Sequence, residues 1–226
     1  MKKLIFPLLA LLTGSLTANA QLQFGIKGGV NYSNITITNS GETDDNRGIG
    51  SFNVGGYFDA PLADVLSIQA GLMVTGKGAK YSWNGSGINS SLEVKTNPIY
   101  LELPVNIVGK IPLGDNFKLF AGVGPYVAMG IAGKNSAKGK FLGADFNEDE
   151  NIKFSDDDPT TGDNGYSGDL KRWDFGLNIL AGVELGHLTL NANYGHGLTN
   201  IRPGSSNNDN DKFKNRVLSF SVGILF

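Results

Sequence analysis

The sequence contains no cysteine, only two histidines and only eight prolines in 226 residues. Without cysteine there is no disulfide scaffold, no thiolate metal site, no cysteine nucleophile and no lipid-modified cysteine anchor. With so little proline, a collagen-like or Pro/Gly-disordered chain is excluded. Charge is sparse as well: 18% of residues are Asp, Glu, Lys or Arg and the net charge is -2. Globular chains average about 25% charged residues, and a near-neutral chain has no electrostatic basis for binding nucleic acid. Beyond residue 20 no apolar run approaches the ~18 residues of a membrane-spanning helix. Glycine is abundant instead, at 32 residues, roughly twice its usual share of about 7%.

Residues 1–20 read as a cleaved signal peptide. Lys2 and Lys3 form a basic start, Leu4 to Leu12 an apolar stretch, and Ala18-Asn19-Ala20 a small-residue cleavage site. The mature domain is then 21–226, working outside the cytoplasm.

Over that domain the periodicity is two, the signature of strands. Apolar rows run Phe24-Ile26-Gly28-Val30-Tyr32, Phe52-Val54-Gly56-Phe58, Leu66-Ile68-Ala70-Leu72-Val74 and Ile99-Leu101-Leu103-Val105-Ile107. Four more follow: Phe117-Leu119-Ala121-Val123-Val127, Trp173-Phe175-Leu177-Ile179-Ala181-Val183, Leu188-Leu190-Ala192-Tyr194 and Leu218-Phe220-Val222-Ile224-Phe226. None of these rows carries a charge. Connections 61–65, 109–116 and 185–187 are short, whereas 39–49, 78–97, 131–171 and 199–214 are long. Short turns on one rim and long loops on the other predict an all-β fold: an eight-stranded antiparallel transmembrane barrel with periplasmic turns and extracellular loops. Periodicity alone leaves a soluble barrel open, with the apolar rows turned inward. Strand length, row continuity and the closure that hydrocarbon demands of backbone groups favour lipid. Phe226 ends an alternating aromatic terminal strand of the kind the barrel-assembly machinery recognises, so it is the expected assembly signal.

Several segments together carry a family resemblance: Phe24-Gly25-Ile26-Lys27-Gly28-Gly29-Val30-Asn31, Tyr100-Leu101-Glu102-Leu103-Pro104-Val105, Phe120-Ala121-Gly122-Val123-Gly124-Pro125-Tyr126 and Trp173-Asp174-Phe175-Gly176-Leu177. The chain resembles the outer-membrane β-barrel proteins of the porin-family and PorT-family type. That resemblance implies an eight-stranded barrel in the outer membrane. It implies no single activity, although some PorT-like members serve a secretion system.

Candidate chemistry is thin. Gly122-Val123-Gly124 sits mid-strand with no completed phosphate loop. His187 lies in a tight turn and His196 near a strand end, and no nucleophile–base–orienter spacing accompanies them, so no catalytic residue and no enzyme is expected. Asp145-x-Asn147-x-Asp149 resembles the first half of an EF-hand loop, with Asp156 in twelfth place. Glu150 stands where that loop needs glycine. A loosely bound Ca²⁺ is the only cofactor these residues suggest.

The polar rows carry Lys27, Lys77, Lys118 and Arg216 against Asp59, Glu102, Asp174 and Glu184, a lumen network with no excess of sign. The pairs expected from hairpin geometry are Lys27 with Asp59, Lys118 with Glu184 and Lys77 with Glu102. A balanced network in a narrow barrel reads as a side-chain plug, filled out by Tyr57, Tyr100, Phe120 and Tyr126. The resulting expectation is a structural or surface-interaction protein. Its partners would be outer-membrane lipid and lipopolysaccharide, the barrel-assembly machinery and a surface or periplasmic partner. The rivals are a narrow channel, which would show one charge sign in excess, an accessory of secretion, and a soluble barrel holding an apolar ligand.

Overall fold

A computed structural model describes residues 22–39, 42–45, 48–85, 90–141, 144–154, 170–202 and 212–226. The leader and Asp156 lie outside the described residues. Eight strands form the barrel wall: β1 (Gln23–Asn39), β3 (Ile49–Ala63), β4 (Leu66–Gly76), β6 (Ser90–Pro112), β7 (Phe117–Phe141), β9 (Trp173–Leu185), β10 (Leu188–Gly197) and β11 (Lys212–Leu225). Each pairs antiparallel with the next in that order, and β1 pairs with β11 from Gly25↔Leu225 to Thr38↔Lys212. The sheet therefore closes on itself, which leaves no open edge in the wall.

Three further strands lie in stretches that the sequence pattern leaves as loops: β2 (Glu42–Asp45), β5 (Ala79–Gly85) and β8 (Ala144–Asn151). They pair with the outer ends of β1, β6 and β7. Strands β5, β6, β7 and β8 thus form a four-stranded sheet that extends the wall beyond the barrel. This corrects the expectation of a 131–171 loop, since residues 131–141 continue β7 and 144–151 return as β8. Alternating polar and small residues can hold a ladder without an apolar row, because backbone hydrogen bonds suffice at an exposed position. Here Lys140 pairs with Asp145, and the Lys134–Lys140 stretch faces the acidic β8 in register.

The expected apolar rows point outward. Val30, Phe52, Leu72, Ile107, Val123, Ile179 and Phe220 are all exposed, Val30 at 64% and Ile179 at 60%. A water-soluble chain rarely exposes a contiguous apolar belt around its whole circumference. The belt therefore identifies the wall as lipid-facing, which periodicity could not do. Along β11 it spans Leu218 to Phe226, nine residues, about what a tilted strand needs to cross the hydrocarbon core. At the turn rim, Gly186 adopts a φ of 60° in the two-residue turn between Leu185 and Leu188. That left-handed conformation suits glycine in a tight hairpin. His187 in the same turn donates through Nδ1 to the Leu225 carbonyl at 2.8 Å.

Candidate functional site

Among the described residues the buried charged groups converge in the lumen, which is built in layers. At the turn end, Lys110 lies 2.6 Å from Asp59 and 3.0 Å from Glu184, and Lys118 reaches Glu184 at 2.7 Å. Gln69 donates to the same Asp59 oxygen at 2.8 Å. Above this cluster the inward side chains of Val108, Phe120 and Leu180 pack together. Next comes a small polar chamber, about 40 Å³, whose wall includes Lys27, Glu102, Asn106, Asn178, Asn191 and Asn193. A second ion cluster closes it. Lys77 lies 2.8 Å from Glu102 and 3.1 Å from Asp174, and its ammonium stands over the rings of Tyr126 and Tyr100 at 4.2 and 5.1 Å. Asn215 and Tyr126 also donate to Asp174, at 2.9 and 3.3 Å. The outermost layer is apolar: Ile35, Ala79, Ile152, Leu170 and Ile201 bury one another, and Phe154 packs edge-on against Tyr100 at 5.9 Å.

Glycine makes room for these rings. Across the β1–β3 ladder Gly25 faces Tyr57, and across β7–β9 Gly182 faces Phe120 and Gly176 faces Tyr126. A Cβ on Gly25 would sit 2.7 Å from the Tyr57 ring, and one on Gly182 or Gly176 would sit 2.5 Å from its partner ring. Part of the glycine excess in the composition thus reflects space that inward aromatics occupy.

Asparagines tie the strands together inside. Asn31 donates to Thr75 Oγ1 at 2.9 Å and to the Gly76 carbonyl at 3.0 Å. Asn53 donates to Asn31 at 2.6 Å, and Ser221 donates to Asn53 at 2.8 Å. The chain sequence 221–53–31–75 crosses the barrel from β11 to β4.

The structure brings together Lys77, Glu102 and Asp174, and separately Lys118, Glu184 and Asp59. Two expected placements are corrected. Lys27 does not pair with Asp59: its ammonium stands over the Tyr57 ring at 5.3 Å, and Asp59 is held by Lys110. The pattern ends the fourth apolar row at Ile107 and so assigns Lys110 to a connection, yet β6 runs on to Pro112. The inward alternation Asn106-Val108-Lys110 is the signal that could have found it. Arg216 is not in the lumen. It shares the outward row of Leu218 and Phe220, where Nε donates to Thr36 Oγ1 at 3.4 Å and Nη1 contacts the His196 ring. The outward row turns polar there because it has left the hydrocarbon. With Lys110 in place of Arg216, four cations still face four carboxylates inside.

The calcium candidates Asp145, Asn147 and Asp149 lie on the exposed strand β8. Alternate strand residues stand about 7 Å apart along a straight line and cannot wrap a cation as an EF-hand loop does. Among the described residues no group of three potential ligands gathers. His187 and His196 lie at opposite ends of β10 and do not converge. On the extended sheet, hydrogen bonds from Lys80 and Lys95 hold the Glu93 carboxyl down at about 2, at 2.9 and 3.0 Å.

The closed ring and the lipid-facing belt coincide with a family match: residues 17–202 fit the outer membrane protein β-barrel domain. The chain belongs to this family. No curated protein matches it. Among solved structures, the barrel is similar to Ail, the attachment invasion locus protein of Yersinia pestis. Identity is 14%, coverage is 90% of this chain and 98% of that one, and the TM-score is 0.40. Neisserial surface protein A is similar at 12% identity, covering 90% and 97%, with a TM-score of 0.40. The N-terminal barrel domain of Pseudomonas aeruginosa OprF follows at 9% identity, covering 91% and 100%, with a TM-score of 0.30.

Proposed function

We propose that this barrel is a non-conducting outer-membrane scaffold that carries a surface-interaction sheet, exported by a cleaved leader in a Gram-negative cell. The observation that carries the reading is the double closure of the lumen. One ion cluster sits at the turn end, another sits under the apolar cap, and a chamber of only about 40 Å³ lies between them. A chamber of that size has room for a few waters, and the two ion clusters and the apolar cap stand in the path of a hydrated ion. Charges of both signs pair across the interior, so neither sign is in excess to select an ion. The four strands that extend past the wall carry polar side chains together with the exposed rings of Tyr81, Trp83 and Phe146, and they offer a platform for a partner outside the membrane. Among the described residues no nucleophile, base and orienting group converge, which supports a role other than catalysis.

Purified protein in planar bilayers tests it: the expected result is no steady conductance. Steady, selective conductance, with selectivity altered in Glu102→Ala and no loss of stability, would replace the scaffold reading with a narrow channel. The narrower PorT-type kinship and a secretion role would need a partner isolated from intact cells through the β5–β8 sheet.

A further inference from the structure

The outward face of β10, β11 and β1 changes character at one level. Register pairs Tyr194 and Tyr32 with Leu218 on either side, so these three side chains form one rung of the lipid-facing wall. Both tyrosines are exposed, Tyr32 at 58%, as in the aromatic belts that mark the level of lipid headgroups. The next rung outward is Asn34, Arg216 and His196, and the one above it contains Thr36 and Lys214. Successive same-face rungs are about 7 Å apart along the strand, or roughly 5 Å in height at a barrel tilt near 40°. Arg216 therefore stands within the headgroup zone, about 5–8 Å deep on each side of the core, and the Lys214 backbone, two rungs or roughly 10 Å above the tyrosines, stands at its outer margin.

Neither cation has a carboxylate within 4 Å among the described residues. Arg216 Nε donates to Thr36 Oγ1 and its guanidinium lies beside the His196 ring, while its Nη2 amine has no partner among the described residues. A guanidinium at phosphate depth, with donors left over, suits a phosphate oxygen. A second cation one rung higher, with Asn34, Thr36 and His196 beside it, suits a headgroup that carries further phosphate and hydroxyl groups. Below, Leu218, Phe220 and the two tyrosines present an apolar seat for acyl chains.

We propose that Arg216 and Lys214 form a binding site on the outer wall for a phosphorylated sugar-headgroup lipid of the outer leaflet, the lipopolysaccharide class. Arg216 takes one phosphate and Lys214 reaches a second. The site is independent of whether the lumen conducts.

The test is lipid retention by the full-length barrel in detergent, read by native mass spectrometry. The probes are diphosphoryl lipid A, monophosphoryl lipid A and phosphatidylglycerol. Wild type should retain diphosphoryl lipid A at least tenfold better than phosphatidylglycerol, with the monophosphoryl form between them. Arg216→Gln combined with Lys214→Gln should remove that preference. Lys134→Gln with Lys138→Gln, on the extended sheet, should leave it unchanged. If the double variant fails to show a heat-modifiable folded band, Lys214→Gln alone is read, with a preference reduced about threefold. Equal retention of lipid A by the 214/216 variants and wild type overturns the site. So does equal retention of phosphatidylglycerol and lipid A by wild type, or an equal loss from the 134/138 variant.

Discussion

Lys110 Nζ lies 2.6 Å from the carboxylate of Asp59, a residue with no exposed surface, and also 3.0 Å from Glu184. One lysine at the end of β6 thus neutralises carboxylates from β3 and β9 across the turn end of the lumen. Removing one partner of a buried pair leaves an uncompensated charge, at a typical cost of about 3–5 kcal/mol. Lys110→Met should therefore lower the stability of the folded barrel by up to about that amount, with lumen water reducing it. Lys27→Met removes a cation with no carboxylate within 4 Å among the described residues and should cost distinctly less. Urea unfolding in lipid vesicles, followed by tryptophan fluorescence, compares the two. Equal losses would show that Lys27 carries as much of the charge balance as Lys110 and overturn the assignment to the Lys110 pair.

Gly25 and Tyr57 make a steric prediction. The nearest atoms that a Cβ at residue 25 would meet belong to the Tyr57 side chain, the first at 2.7 Å. Gly25→Ala should destabilise by about 1–3 kcal/mol, the usual range for overpacking. The loss should largely vanish in a Tyr57→Leu background, because the ring it collides with is gone. A double-mutant cycle on unfolding free energy measures that coupling; additive losses would mean that the strain lies in the backbone.

The Glu93 carboxyl is held at about 2, against an ordinary 4.5, by hydrogen bonds from Lys80 and Lys95. A depressed carboxyl favours the folded hairpin at any pH above its unfolded value. The contribution fades as pH falls from about 4.5 toward 2. All three side chains are partly exposed, so the effect is small, as for surface pairs in general, and salt-sensitive. Amide exchange of β5 and the outer half of β6 should accelerate over that pH window relative to the barrel wall. In Glu93→Gln the extra acceleration should be absent. A wild-type profile that matches the variant's would remove the ion-pair account of the sheet.

Phe226 closes the seam. Its backbone N–H donates to the Phe24 carbonyl at 2.7 Å, and its ring stacks on Phe24 at a centroid distance of 6.4 Å. Phe226→Asp places a charge on the lipid-facing row at the turn rim. It should cut the yield of folded protein in the outer membrane and leave any folded fraction with a normal lumen. Membrane fractionation with heat-modifiable gel migration reads the outcome, and wild-type yield would show that the seam forms without the aromatic.

The sequence by itself determined the wall. Side chains of a strand alternate by steric necessity, so eight uncharged rows marked eight faces that share one apolar surrounding; that those faces point outward to lipid is shown by their exposure on the closed ring. The same alternation exposed Tyr57, Tyr100, Phe120 and Tyr126 as inward residues, and the glycine excess hinted at the space they fill. Only the tertiary structure decided which charges meet. Lys77 with Glu102 and Lys118 with Glu184 sit on nearby inward faces that hairpin order anticipates. Asp59 chooses Lys110 over Lys27 because strand length and barrel shear set the height of each side chain, and neither is written in the periodicity. Arg216 is the sharpest case. A polar residue in a barrel strand reads as lumenal only within the hydrocarbon; one rung beyond Tyr32 and Tyr194 the outer face is wet, and the rule reverses. The extended sheet and the cap of Ile152, Leu170 and Ile201 escaped the pattern for a related reason. Backbone ladders and three isolated apolar side chains make no periodic signal until the fold brings them together.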